Sequence, residues 1–280
     1  LLFLPNQSPY NKSSLRYFIQ LAYRGTPFVG WQRQLNGVSV QQCLEENLSK
    51  VVGVPLSLVG CGRTDAGVHA SSYFAHFDLA QELDVKLVNR VNRILPDEIS
   101  IKSIFKVEDS SHARFDATKR TYQYFISGVK NPFRQDLAYW YYGFHKLDRQ
   151  KMIDAATLIR QYDTFLPFCK TNSDAKHYKC QIFESSWQEA PDLELVYTIT
   201  ANRFLRGMVR LIAGMCIQVG IGNMQLEEVA IALNLQKSLS KPLSAPAQGL
   251  FLTDISYDFL ESTMATHIKE KPPYIGLSRF

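Results

Sequence analysis

The run Ser39-Val-Gln-Gln-Cys-Leu-Glu-Glu-Asn-Leu-Ser-Lys-Val51 places Val40, Leu44, Leu48 and Val51 on one face of a helix, and Ser39-Val-Gln-Gln42 opens it as a capping box. What flanks that helix decides the fold. Leu15 to Tyr23 before it reads as a strand. After it, Pro55 to Val59 is short and β-branched, and Tyr73, Ala75 and Phe77 alternate with Phe74 and His76 in a second extended run. A helix starting at Asp84 carries the stripe Leu87, Val88, Val91, Ile94 and Leu95 and stops at Pro96, and Ile99 to Val107 returns to strand character. The order β-α-β-β-α-β predicts a split βαβ, ferredoxin-like unit. In such a unit helices cover one face of an antiparallel sheet and leave the other for a ligand or a second sheet.

The remainder repeats the pattern loosely. Strands are expected at Arg120 to Ser127, Phe183 to Gln188, Leu195 to Thr200 and Gly249 to Ile255, and helices at Asp148 to Tyr162, Leu205 to Val219 and Leu226 to Leu235. The expectation is an α+β protein of two ferredoxin-like domains with antiparallel sheets, residues 14–113 and 114–262. No long linker or low-complexity tract separates them, which predicts halves packed on each other with an active-site cleft between.

Composition agrees with a folded chain. Of 280 residues 46% are apolar and 20% charged, with 12% aromatic, enough to build a sizeable core. The longest apolar run, Leu211 to Ile217, is far short of the ~20 residues of a membrane span, and Leu1 to Leu4 lacks the charged start of a signal peptide, so no membrane association is expected. Five widely spaced cysteines without a C-x-x-C fit a reducing compartment, hence a cytoplasmic location. His177 and Cys180 form an isolated H-x-x-C, too few ligands for zinc, so no metal is expected. The net charge of +5 permits a polyanionic partner. Between His112 and Arg134 the basic residues Arg114, Lys119, Arg120, Lys130 and Arg134 face one acid, Asp116, in an aromatic-rich stretch that suits a nucleic-acid footprint.

The densest special segment is Gly60-Cys-Gly-Arg-Thr-Asp-Ala-Gly-Val-His-Ala70. A turn explains a Gly and an Asp. It does not explain Arg63 and Asp65 two apart, where extended backbone sends both side chains to one face. At neutral pH an aspartate is a carboxylate, so nucleophile, base or electrostatic stabiliser all outrank general acid for Asp65. No second carboxylate is evident near the loop, which argues against a glycosidase pair. Motifs for ATP, dinucleotides or zinc hydrolysis do not occur, and a cofactor-free reaction is expected.

Gly30-Trp-Gln-Arg-Gln34, Gly62-Arg-Thr-Asp-Ala-Gly-Val-His-Ala70, His112-Ala-Arg-Phe-Asp-Ala-Thr118, Tyr122-x-Tyr124, Met208-Val-Arg210 and Ala245-Pro-Ala-x-Gly-Leu250 follow one another in this order. Together they make the chain resemble the tRNA pseudouridine synthases of the TruA type over almost its whole length. The Arg-Thr-Asp-Ala-Gly-Val-His core is the most specific block. The resemblance implies an isomerase that turns uridine into pseudouridine at positions 38, 39 and 40 of the tRNA anticodon stem-loop, working without cofactor as a homodimer. It implies Asp65 as the essential catalytic aspartate and Tyr122 as the active-site tyrosine, which can stack on the uracil. Arg210 is implied as the partner of Asp65, with a planar fork suited to a carboxylate. Arg63 is implied to help displace the target base, with a salt bridge to Asp65 as the competing reading, and Leu250 to form an apolar wall beneath it, with plain burial in the second sheet as the alternative.

Arg206 and Arg210 are read as one helical turn apart, with Arg203 extending the row toward phosphates, and Arg114 and Arg120 as further RNA contacts. His69 and His112 are read as loop histidines satisfied by backbone, and Cys61 as a small buried side chain. Leu1 to Ser14 and Thr171 to Lys179 lie outside the resemblance. A synthase with another RNA target and a non-catalytic RNA-binding module are the two alternatives.

Overall fold

The computed structural model describes residues 14–171, 175–192, 194–240 and 242–260. The tail before Ser14, residues 172–174 within the unmatched Thr171 to Lys179 stretch, and residues 261–262 of the second expected domain lie outside them. Strand β1 (Leu15–Tyr23) leads to helix α1 (Val40–Val52), β2 (Val59–Gly60), β3 (His69–Leu79), α2 (Leu87–Asn92) and β4 (Ile99–Val107). The second half runs β5 (Ala117–Ser127), β6 (Tyr139–Trp140), α3 (Arg149–Ile159), β7 (Ile182–Ala190), β8 (Glu194–Ala201), α4 (Met208–Gly220), α5 (Leu226–Leu235) and β9 (Leu250–Tyr257).

The α1 helix starts where its cap residue dictates. Ser39 Oγ accepts the Gln42 N–H at 3.1 Å, while the Gln42 side chain turns outward to Glu46, so half of the expected capping box forms. Pro55 to Leu58 is irregular, and only Val59–Gly60 pairs, as β2. Helix α4 begins three residues later than expected. Gly207, with φ +70°, takes the left-handed conformation and turns the chain into Met208. Arg206 therefore precedes the helix, and the expected helical row of Arg206 with Arg210 does not exist.

Among the described residues the strands form one sheet in the order β4-β1-β3-β9-β5-β8-β7, with β2 also on β3 and β6 also on β5. Neighbours are antiparallel except β3 with β9 and β5 with β6, which gives a mixed protein of α+β class. Each half has the same internal order, β4-β1-β3-β2 and β9-β5-β8-β7. The seam is short. At it His69 and Ala70 pair with Phe251 and Leu252, while β2 occupies the same edge of β3 further on, at Ala75 and His76.

Two apolar cores flank this seam. One joins Leu44 and Leu48 of α1 to Ile19, Leu21 and Phe77 of the first strands; the other joins α3, α4 and α5 to Tyr197 and Ile199. Adjacent residues Phe18 and Ile19 point to opposite faces, yet both are fully buried. Phe18 meets Tyr257 and Phe259 edge-on at 5.5 and 5.4 Å, so at β1 the face away from α1 is covered rather than open. No helix among the described residues is long and apolar enough to cross a membrane.

Candidate active site

The segment between β2 and β3 carries the Arg63-Thr64-Asp65 run to the seam. It is wedged in by backbone. Trp31 N–H donates to Thr64 O at 3.3 Å, Val68 N–H to Asp65 O at 3.2 Å, and the Thr64 and Tyr23 hydroxyls bond at 2.9 Å. Gly30, at φ +100°, lies so close that a Cβ there would stand 2.5 Å from Thr64 O. Only glycine fits that approach. Val68, though it belongs to the first half, is buried in the second core, so the loop reaches across the seam.

Asp65 projects toward two cations from the far half. Lys170 Nζ lies 2.9 Å and Arg210 Nη1 3.1 Å from the same oxygen, Oδ2. The carboxylate is 26% exposed, which leaves it open to a substrate. Arg210 is fixed independently: its Nε–H donates to Ala245 O at 2.7 Å, and Ala245 N–H donates to Arg210 O at 3.0 Å. Lys170 was not anticipated from the sequence. It follows a one-turn helix, Leu166–Phe168, and stands 105 positions from Asp65, with no local pattern to mark it.

Tyr122, on β5, pairs across to Leu252, and Tyr124 to Leu250, which brings the tyrosine and the leucine beside the seam. The Tyr122 ring meets Phe204 edge-on at 5.2 Å. Burial pushes its hydroxyl above the ordinary tyrosine range, reinforced by Cys61, opposed by Arg120 and reinforced again by Asp65, so it keeps its proton. Leu250 is buried in the second core. Burial drives the Cys61 thiol up to about 11, where it is no nucleophile at neutral pH. Burial lowers His69 to about 4, and its Nδ1 accepts the Gly25 N–H at 3.1 Å while the ring stacks on Phe251 at 4.4 Å. His112 Nδ1 accepts the N–H groups of Arg114 and Phe115 at 3.1 and 3.2 Å. Both rings serve as neutral acceptors that shape loops.

The arginines expected to meet RNA separate. Arg63, Arg114 and Arg206 are exposed. Arg120 spends its donors on four backbone carbonyls, those of Ala117, Asn202, Cys61 and Arg114, at 2.8 to 3.1 Å. Arg203 faces the His177 ring nitrogens at 2.9 and 3.1 Å, which leaves His177 engaged there and Cys180 buried. The basic stretch His112 to Arg134 is not one patch. Strand β5, 11 residues and roughly 35 Å long, lies between Arg114 and Lys130, and Arg134 forms a 2.7 Å pair with Glu194 in which both side chains are about nine-tenths buried. Cavities of about 440 Å³ beside Arg134 and about 560 Å³ beside Glu45 are lined by neither Asp65, Tyr122 nor Arg210.

The sequence has relatives of known activity class. A family model described as tRNA pseudouridine synthase matches residues 163–258, the half that carries Lys170 and Arg210. The tRNA pseudouridine synthase A of Bacteroides fragilis is 43% identical over 244 residues, 86% of this chain and 96% of its own length. The chain belongs to the tRNA pseudouridine synthase A family. Members from Porphyromonas gingivalis and Maricaulis maris are 42% and 37% identical, and each aligns over 86% of this chain and 97% and 98% of its own length. In this member of the family Asp65 of the first half pairs with Arg210 of α4, and Tyr122 of β5 stands beside the same seam.

Proposed function

We propose that the chain isomerises uridine in tRNA to pseudouridine, with Asp65 as the catalytic aspartate. The observation that carries this is the Asp65 carboxylate held by Arg210 beside Tyr122. In the reaction the C1′–N1 bond breaks, the base turns, C5 bonds to C1′, and the C5 hydrogen is replaced by one on N1. Atoms balance with nothing added. The chemistry therefore asks for one ionised carboxylate, a surface on which the base can rotate and a protein that exposes the nucleotide. Tyr122 supplies an aromatic face worth about 1 to 3 kcal/mol of stacking, and Leu250 an apolar wall below the base. Arg63, exposed on the catalytic loop, helps displace the target base, which costs a few kcal/mol.

The same reading assigns the target to positions 38, 39 and 40 of the anticodon stem-loop and the active form to a cytoplasmic homodimer, on family grounds alone. Several adjacent targets favour recognition of the arm's shape through its phosphates. Arg114 and Arg206 suit such contacts by their exposure. Arg120 contributes by fixing the carbonyls of Cys61 and Arg114. We further read the two halves as ferredoxin-like domains, 14–113 and 114–262; the repeated strand order supports this.

The test is incubation of the protein, without added metal or nucleotide, with unmodified tRNA transcripts carrying uridine at 38, 39 and 40, followed by mapping. Pseudouridine at those positions, absent when they are cytidine, is expected. Product only elsewhere would move the target to another site, and tight binding without product would favour a non-catalytic RNA-binding module.

A further inference from the structure

We propose that Lys170 is a second positioning residue for Asp65: with Arg210 it occupies Oδ2, and so presents Oδ1 as the reacting oxygen. The inference rests on the synthase reading above. Both cations meet the same oxygen, at 2.9 and 3.1 Å, and among the described residues Oδ1 accepts no hydrogen bond. A carboxylate with two positive partners on one oxygen keeps its available lone pairs on the other, and its rotation about the Cβ–Cγ bond is blocked.

The two cations are built differently. Arg210 stays in place without Asp65, because the Ala245 carbonyl holds its Nε. The Lys170 ammonium has Asp65 as its hydrogen-bond partner, and its backbone is tied by the bond from its N–H to Arg206 O at 3.0 Å. Its stem lies across Gly207, where a Cβ would stand 2.7 to 2.8 Å from Cγ, Cδ and Cε. The glycine that turns the chain into α4 therefore also clears the path by which Lys170 reaches the site.

Electrostatics argues that this arrangement is made for Asp65. A helix N-terminus carries partial positive charge and disfavours cations nearby. Yet Lys170 crosses the residue that opens α4, and Arg210 sits in the first turn of that helix. Lys170 and Arg210 also repel each other. Among the described residues, Asp65 is the one acid that pairs with both. Arg210, with its fixed fork, sets the direction of the carboxylate; Lys170, a point charge on a flexible stem, holds Oδ2 as charge moves at Oδ1.

The test compares wild type, Lys170→Met and Lys170→Arg in pseudouridine formation on an unmodified tRNA transcript, with a crystal structure of Lys170→Met. Methionine retains most of the stem over Gly207, and an unfolding temperature within a few degrees of wild type checks that the fold is kept. The expected result is a fall in kcat of about 10-fold to 100-fold with KM within about threefold, largely restored by Lys170→Arg, and a carboxylate turned so that both oxygens approach Arg210. A raised KM with unchanged kcat would make Lys170 an RNA contact, and wild-type rates would make it idle; either overturns the proposal. If wild type itself forms no product, the synthase reading fails. The crystal structure then still decides, since an unmoved Asp65 carboxylate would exclude a positioning role.

Discussion

The two sides of Asp65 are made by opposite means. On the loop side the chain is held by backbone contacts, with Gly30 packed under Thr64 and Val68 inserted into the second core. On the other side two long cationic side chains reach over, Arg210 from α4 and Lys170 from the segment between α3 and β7. The first side fixes where the carboxylate stands. The second fixes which oxygen faces the substrate, so damage to one side should be distinguishable from damage to the other.

Arg210→Met strikes the cation side hardest. We expect kcat for pseudouridine formation to fall by about 10²-fold to 10³-fold, with tRNA affinity nearly unchanged in a filter-binding assay. An equal loss of affinity would mean that Arg210 serves the RNA rather than Asp65.

The contrast also separates what was legible in the sequence from what was not. Periodicity located α1, α5 and the long strands, because Leu44 and Leu48 or Val229 and Leu233 recur at the spacing that burial requires. The loop side was legible as well, since its residues are contiguous and chemically unusual. The cation side was half legible. Arg210 was reached by resemblance, but Lys170 comes from a segment whose local pattern says nothing about Asp65. Helix α4 starts later than its periodicity predicts for a related reason: Leu205, Met208 and Ile212 keep a helical spacing, while the backbone conformation of Gly207 sets the boundary. For Arg120 the charge is visible in the sequence and the four carbonyl partners are not.

Gly30→Ala attacks the loop side. A side chain 2.5 Å from Thr64 O at φ +100° forces the loop to move, and we expect a loss of about 1 to 3 kcal/mol in denaturant unfolding. Activity should fall with it, while a variant as stable as wild type would show that the backbone wedge is not what holds Asp65. Arg120→Met is gentler, because water replaces some of its carbonyl contacts. We expect about 1 to 2 kcal/mol of destabilisation and a smaller drop in kcat than for Arg210→Met, measured on the same transcript.

The smallest effect at assay pH concerns two buried histidines. Burial lowers both His69 and His76 to about 4, and each accepts a backbone N–H, from Gly25 and Ala113 at 3.1 Å. The unfolded chain takes up protons at these rings near pH ~6.5 and the folded chain does not. Stability should therefore hold above about pH 6.5 and decline from there toward pH 4, as followed by thermal unfolding. A flat profile across that window would contradict the neutral-acceptor role of the two rings.

The most direct test of the account is a single-turnover measurement of pseudouridine formation with Asp65→Asn on a tRNA transcript carrying uridine at 38, 39 and 40. Asparagine fills the same space and leaves the loop side intact while removing the charge on which Lys170 and Arg210 converge. The account predicts that the variant binds the transcript but forms at least about 10³-fold less product in the time wild type needs for one turnover. Turnover within about tenfold of wild type would contradict it, because the ionised carboxylate at the seam would then not be the group that carries the reaction.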